Sequence, residues 1–233
     1  MSEPIIGRPR LAIALDVDDP VAALRLATSV SLYFDVAKVG LELYAAAGPS
    51  VVEQLIASGY SVFVDLKLHD IPTTVERAAR VLGGLGASYA TVHAAGGVDM
   101  VAAAVSGFSD GAAAAGLVAP VTLGVTVLTS DVDAPASLLS DRVRVVLAAR
   151  AGGLVCAAPD LAVVRRIAPD LVTVVPGVRP PNADANDQSR VATPVEAVAM
   201  GADVLVIGRP VARADDPAKA AEAIARSLGL LDD

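Results

Sequence analysis

The sequence predicts a single (β/α)8 TIM barrel, and three observations lead there. Eight short apolar runs of strand type begin near Leu11, Val36, Val62, Tyr89, Val121, Gly153, Val172 and Val204, at spacings of 25, 26, 27, 32, 32, 19 and 32 residues. The runs are apolar at consecutive positions instead of alternating, as in parallel strands buried on both faces. Alanine-rich segments long enough for helices lie between them. Repeated β-then-α units make a parallel sheet, and eight nearly even ones favour closure over an open doubly wound sheet. No composition shift or linker divides the chain, so residues 1–233 read as one domain.

Taken in order, the first run ends at Leu15-Asp16 and is followed by a helical segment, Val21 to Tyr33. The second closes as Asp35-Val-Ala-Lys-Val-Gly40. The third, Ser61-Val-Phe-Val-Asp-Leu-Lys-Leu-His-Asp70, gives way to a helix beginning near Ile71-Pro72, where proline suits a first turn. Gly83-Gly-Leu-Gly86 closes that helix and does not follow a strand, so it is no dinucleotide loop. The fourth run ends at His93. Gly111 to Ser130 is twenty uncharged residues that imitate a membrane span. Gly116, Pro120 and Gly124 interrupt it, and it reads as a helix end running into the fifth strand. The sixth run contains Cys156, the seventh ends at Pro176-Gly177, and the eighth at Gly208-Arg209 before a last helix, Pro217 to Leu228.

With 54% apolar and 3% aromatic residues and no tryptophan, the core must be built from Ala, Val, Leu and Ile. A net charge of −8 argues against a nucleic-acid binder. The single cysteine excludes an intramolecular disulfide and suits a reducing cytoplasm. The N-terminus has no apolar stretch of signal-peptide length, and a soluble cytoplasmic protein is expected.

Chemistry is signalled by lysine. The chain has three, against fifteen arginines, and Lys38 and Lys67 fall in strands. An ammonium among apolar side chains must be paired, and lysine, unlike arginine, can give up a proton. Side chains alternate along a strand, so Asp65 and Lys67 should share a face, with Asp70 at the strand's end. In such barrels the active site lies at the C-terminal ends of the strands. That rim would gather Asp16, Lys38, Asp65, Lys67 and Thr129 at the ends of strands one, two, three and five. The competing structural reading is a buried ion network that sets register.

A second signal is Gly208-Arg209-Pro210 beside Pro176-Gly-Val-Arg-Pro180. Glycine, guanidinium and a helix start at strands seven and eight suit a phosphate site, although each glycine alone is an ordinary turn residue. The loop Val178 to Arg190, rich in Pro, Asn and Asp, is long enough to be a lid. His69 with Asp65 and Asp70 could form a metal set, but Lys67 between them sets a cation beside a cation, so no metal is expected. His93 reads as a hydrogen-bonded rim or core residue.

The segment Asp65-Leu-Lys-Leu-His-Asp-Ile-Pro-Thr-Thr-Val75 resembles the signature of the orotidine 5'-phosphate decarboxylase family. The similarity continues through Leu15-Asp16, Lys38-Val-Gly40, Val92-His-Ala-Ala-Gly-Gly97, Val125-Thr-Val-Leu-Thr-Ser130, Val175-Pro-Gly-Val-Arg-Pro180, Asp187-Gln188 and Val206-Ile-Gly-Arg-Pro210. The resemblance implies decarboxylation of orotidine 5'-monophosphate to uridine 5'-monophosphate with no cofactor and no metal. It implies that Lys67 protonates C6, that Asp65 sits against the departing carboxylate, and that Lys38 and Asp16 hold the ribose. It places Thr129 on the base, Gln188 on a closing loop, and Arg179, Gly208 and Arg209 at the phosphate, with Ile71 and Pro176 among the substrate-binding positions. It further implies a homodimer in which Asp70 and Thr74 cross to the neighbouring site.

Two other readings remain open. Magnesium-dependent phosphosugar decarboxylases and aldolases of the same barrel group share an Asp-x-Lys-x-x-Asp core. Ile71-Pro-Thr-Thr-Val75, Pro176-Gly-Val-Arg-Pro180 and Gln188 favour the orotidine reading over them. A non-catalytic nucleotide-binding barrel would have no need to set a carboxylate against an anionic ligand.

Overall fold

A computed structural model describes residues 8–128, 131, 134–180 and 192–231. Its strands are β1 (Arg10–Leu15), β2 (Val36–Gly40), β3 (Ser61–Leu68), β4 (Tyr89–His93), β5 (Val121–Val125), β6 (Gly153–Val155), β7 (Val172–Val175) and β8 (Val204–Ile207). Each pairs in parallel with the next, and β8 returns to β1 through Leu11 opposite Leu205 and Ile13 opposite Ile207, closing the barrel. Around it lie α1 (Pro20–Val30), α2 (Leu41–Ala47), α3 (Ser50–Ala57), α4 (Pro72–Gly83), α5 (Gly97–Ala114), α6 (Ala136–Ala148), α7 (Leu161–Ile167), α8 (Pro194–Ala199), α9 (Arg209–Ala212) and α10 (Pro217–Ser227).

Helix starts follow from local chemistry. The Asp19 and Asp216 carboxylates accept the Val21 and Lys219 backbone N–H groups, with a proline next in line each time. Thr193 and Glu196 form a reciprocal capping box on α8. No helix among the described residues is long and apolar enough to cross a membrane. Within the uncharged run that begins at Gly111, α5 ends at Ala114 and β5 spans Val121–Val125, a helix end running into a strand as expected.

Two apolar layers form. One, between barrel and helices, takes the outward residues of the strands, such as Leu11, Ile13, Leu15, Ala37 and Val39. The other fills the barrel with inward residues, among them Ala12, Ala14, Val36, Phe63, Leu123, Val174 and Val206. At the N-terminal mouth Arg10 acts as a plug: its guanidinium donates to Asp35 at 2.5 Å, Tyr89 Oη at 2.8 Å and Ser61 Oγ at 2.8 Å. The same inward rows continue upward to Asp16, Lys38 and Asp65 at the opposite mouth.

Helices α4 and α5 meet backbone to backbone along Gly83, Gly107 and Gly111. A methyl at Gly111 would stand 2.8 Å from the Arg80 carbonyl carbon, and one at Gly107 would stand 2.9 Å from Ala79 Cβ. This seam fixes the helix that starts immediately beyond Asp70.

Candidate active site

At the C-terminal mouth, three consecutive strands carry a chain of alternating charges. Lys38 Nζ on β2 donates to Asp16 Oδ1, just past β1, at 2.8 Å, and lies 3.8 Å from Asp65 Oδ2 on β3. Lys67 Nζ bridges both Asp65 oxygens at 2.8 and 2.9 Å. Lys38 and Asp65 are each only 9% exposed, whereas the Lys67 side chain is a third exposed and faces the opening. Gly40 makes room for the row, because a methyl there would lie 3.2 Å from both Asp16 Oδ1 and Lys38 Nζ.

Asp65 and Lys67 come together as expected, but not by regular alternation. Pairing with β4 runs from Val64 opposite Ala90 to Leu68 opposite Val92, so β3 carries two residues more than its neighbour. Lys67 sits in this bulge at φ 50°, a left-handed conformation uncommon for a residue with a side chain. Thr91 on β4 spans the gap: its hydroxyl accepts the Lys67 N–H at 2.9 Å and donates to Asp65 Oδ1 at 3.0 Å. The sequence reading missed Thr91. The available signal was a polar residue in an apolar run, two positions before His93 and hence on the same face.

A cavity of about 250 Å³ opens above these groups. Asp16, Lys38, Asp65 and Lys67 line its β1–β3 side, and Arg179, Gly208 and Arg209 line its β7–β8 side. Phe63, Val125, Val155, Val206 and Pro176 give it apolar walls. Arg179 is buried, and its N–H donates to Ala192 O at 2.9 Å, while Val178 bridges to Ala192, so the base of the loop after β7 is closed. Gly208 sits 3.3 Å, by its missing Cβ, from Ala14 Cβ, which brings the backbone of β8 against β1.

Asp70 does not join the row within its own chain; it is exposed, with Oδ1 accepting the Ile71 N–H at 2.6 Å. Ile71 is exposed at the N-cap of α4, and Thr74 lies in the first turn of that helix. Thr129 and Gln188 lie outside the described residues; β5 itself ends at Val125, earlier than a Thr129 terminus would require. His69 stacks on His93 with ring centroids 5.3 Å apart. His93 Nδ1 accepts the Ala95 N–H at 3.3 Å, and burial, then His69, Arg142 and Lys67, hold its pKa below the ordinary imidazole value. Among the described residues no three His, Cys, Asp or Glu side chains gather as a metal would require. Cys156 is buried and forms part of the cavity wall.

Fold and site together define a (β/α)8-barrel with a charged pocket at the catalytic mouth, the arrangement of an enzyme acting on a small anionic molecule. Comparison with known proteins narrows this. Residues 9–224 match the family model "Orotidine 5'-phosphate decarboxylase / HUMPS family", and the chain belongs to that family. It is 47% identical over 230 residues to an orotidine 5'-phosphate decarboxylase of Anaeromyxobacter sp. (strain K), covering 94% of this chain and 98% of that one. The enzyme of the same name from Thermobifida fusca (strain YX) is also 47% identical, over 94% of this chain and 95% of that one. A crystal structure of orotidine 5'-phosphate decarboxylase from Lactobacillus acidophilus superposes with a TM-score of 0.78 at 33% identity, covering 95% and 99% of the two chains.

Proposed function

We propose that this chain decarboxylates orotidine 5'-monophosphate to uridine 5'-monophosphate without metal or cofactor, as one barrel domain working in the cytoplasm. The observation that carries the reading is the Asp16–Lys38–Asp65–Lys67 row on β1 to β3, closed by ion pairs of 2.8 Å at each end. Two cations on the β7–β8 side of the same cavity supply the place for a phosphate.

In this reaction the C6–carboxylate bond breaks, CO2 leaves, and the electron pair remains on C6 in the plane of the ring. Lys67 then delivers a proton to that carbon and recovers one from solvent. No π-system delocalises the charge, so the protein must stabilise it by position and electrostatics. An ammonium about 3 Å from C6 contributes on the order of 5 kcal/mol at an effective dielectric near 20. Large enzymatic accelerations reach ~23 kcal/mol, so Lys67 is one contributor among several. Asp65, held beside Lys67, adds a contribution of opposite sign in the ground state: a carboxylate beside the substrate carboxylate is relieved as CO2 departs. Lys38 and Asp16 hold the ribose, Arg179, Gly208 and Arg209 the phosphate, and Thr129 the base, with Ile71 and Pro176 among the substrate-binding positions. Phosphate binding and closure of Gln188 over it would supply the remote binding energy.

A homodimer completes the site in this reading, with Asp70 and Thr74 crossing to the partner's cavity. Supporting it, Asp70 is exposed with Oδ1 engaged by the Ile71 N–H, and Leu41, Ile71 and Val98, which follow β2, β3 and β4, expose apolar side chains.

The test is the ultraviolet spectrum of orotidine 5'-monophosphate mixed with purified protein in excess EDTA. Loss of the substrate spectrum supports the reading. No change in EDTA but turnover of a sugar phosphate with magnesium would assign the chain to the metal-dependent phosphosugar enzymes instead.

A further inference from the structure

We infer that Thr91 is a positioning residue for the Lys67–Asp65 pair, an inference that rests on the decarboxylase reading above. Between Val64 and Leu68 β3 leaves the ladder, and only Thr91 of β4 stands opposite the displaced residues Asp65, Leu66 and Lys67. The Lys67 backbone is held there at φ 50°, a conformation that persists only when its surroundings over-determine it.

Thr91 supplies that determination with one hydroxyl. Its lone pair takes the Lys67 N–H at 2.9 Å, so its proton is committed to Asp65 Oδ1 at 3.0 Å. The residue is 1% exposed, and water cannot readily take either place. A β-branched side chain on a strand has few χ1 choices, so the direction of the hydroxyl is set by β4 itself. Both members of the reacting pair are therefore referenced to the same rigid strand: Lys67 through its backbone, Asp65 through its carboxylate. The Lys67 ammonium keeps its freedom to leave Asp65 for the substrate, because Thr91 holds its amide and not its Nζ. Asp65, by contrast, keeps one oxygen pinned by Thr91 when Lys67 moves away, which holds it against the departing carboxylate.

Thr91→Val keeps the shape and removes both hydrogen bonds, while Thr91→Ser keeps the hydroxyl and removes a methyl. Turnover of orotidine 5'-monophosphate, affinity for uridine 5'-monophosphate and thermal midpoint would be measured for wild type and both variants. The expected result is at least a tenfold fall in kcat for Thr91→Val, with KM and product affinity within about threefold of wild type. Thr91→Ser should recover kcat to within about threefold, because misorientation and not packing is the defect. If the valine variant does not fold, Thr91→Ala set against Thr91→Ser makes the same comparison. The proposal is overturned if Thr91→Val turns over within twofold of wild type. It is equally overturned if serine and valine lose kcat, product affinity and thermal midpoint in parallel, which is the pattern of a packing role. A wild type that does not turn over this substrate would defeat the decarboxylase reading first and this inference with it.

Discussion

Gly111→Ala sets two effects of opposite sign against each other at the seam that carries α4. Alanine is the better helix former, and in mid-helix it gains about 1 kcal/mol over glycine. The new methyl, however, would overlap the Arg80 carbonyl oxygen and stand 2.8 Å from the carbonyl carbon and 3.0 Å from its Cα. Carbon atoms prefer roughly 3.5–4.0 Å, so α4 must retreat by about 1 Å. The obstacle is backbone, which cannot swing aside as a side chain would. Overpacking of this kind costs on the order of 3 kcal/mol, leaving a net loss of about 2 kcal/mol. For a chain of this size that lowers Tm by about 4–8 °C. Activity should fall too, because α4 starts two residues beyond Asp70 and a shift of about 1 Å can cost ~100-fold in rate. Gly84→Ala is the control: its methyl would rest at ordinary contact distance from Val81 O (3.5 Å) and Gly111 O (3.6 Å), and its backbone is already right-handed. Differential scanning calorimetry of both variants decides the matter. A Gly111→Ala Tm equal to that of Gly84→Ala would refute the seam argument.

Other consequences are measurable in the same way. Replacing Arg209 by Ala should lower kcat/KM for orotidine 5'-monophosphate by roughly 10- to 150-fold, the worth of a charge-assisted hydrogen bond, while the orotidine nucleoside shows little change; equal loss with both substrates would place Arg209 elsewhere. Mixing Lys67→Ala and Asp70→Ala proteins should restore about a quarter of wild-type activity, since a two-fold heterodimer then contains one intact site; no recovery after confirmed subunit exchange would remove Asp70 from the partner's site. The Tyr60 hydroxyl, which donates to Ala27 O at 2.5 Å, is pushed up to about 12 by burial and by Asp35. An unfolded tyrosine titrates near pH ~10, so this group's contribution is present below that pH and is lost as pH rises toward about 12. Tyr60→Phe should flatten the fall of Tm over that window, and an unchanged slope would assign alkaline instability to other groups.

Much of this molecule is written locally. Eight apolar runs become eight strands because a parallel barrel buries both faces of each, and the runs at Val36, Tyr89, Val121, Gly153, Val172 and Val204 begin where the strands do. Polar residues at strand ends marked the mouth for the same reason: Lys38 and Asp65 interrupt apolar runs at positions that can only face inward. What local reading lacked was the register between neighbours. Period-two alternation put Asp65 and Lys67 on one face, but their meeting depends on a bulge that exists only against β4, and Thr91 gains its role from that misfit. A buried threonine in a strand is ordinary, as Thr122 and Thr173 show, so its place two residues before His93 suggested a face but not a role. The glycine seam was likewise silent, because Gly107 and Gly111 matter only through the backbone they face on α4.

The most direct test of the central claim compares wild type with Lys67→Ala in excess EDTA, following orotidine 5'-monophosphate by ultraviolet absorbance and uridine 5'-monophosphate binding by calorimetry. Wild type should consume the substrate, while Lys67→Ala should bind product yet lose at least ~10³-fold in turnover, the scale of an ammonium contributing about 5 kcal/mol. Turnover by Lys67→Ala within tenfold of wild type would contradict it.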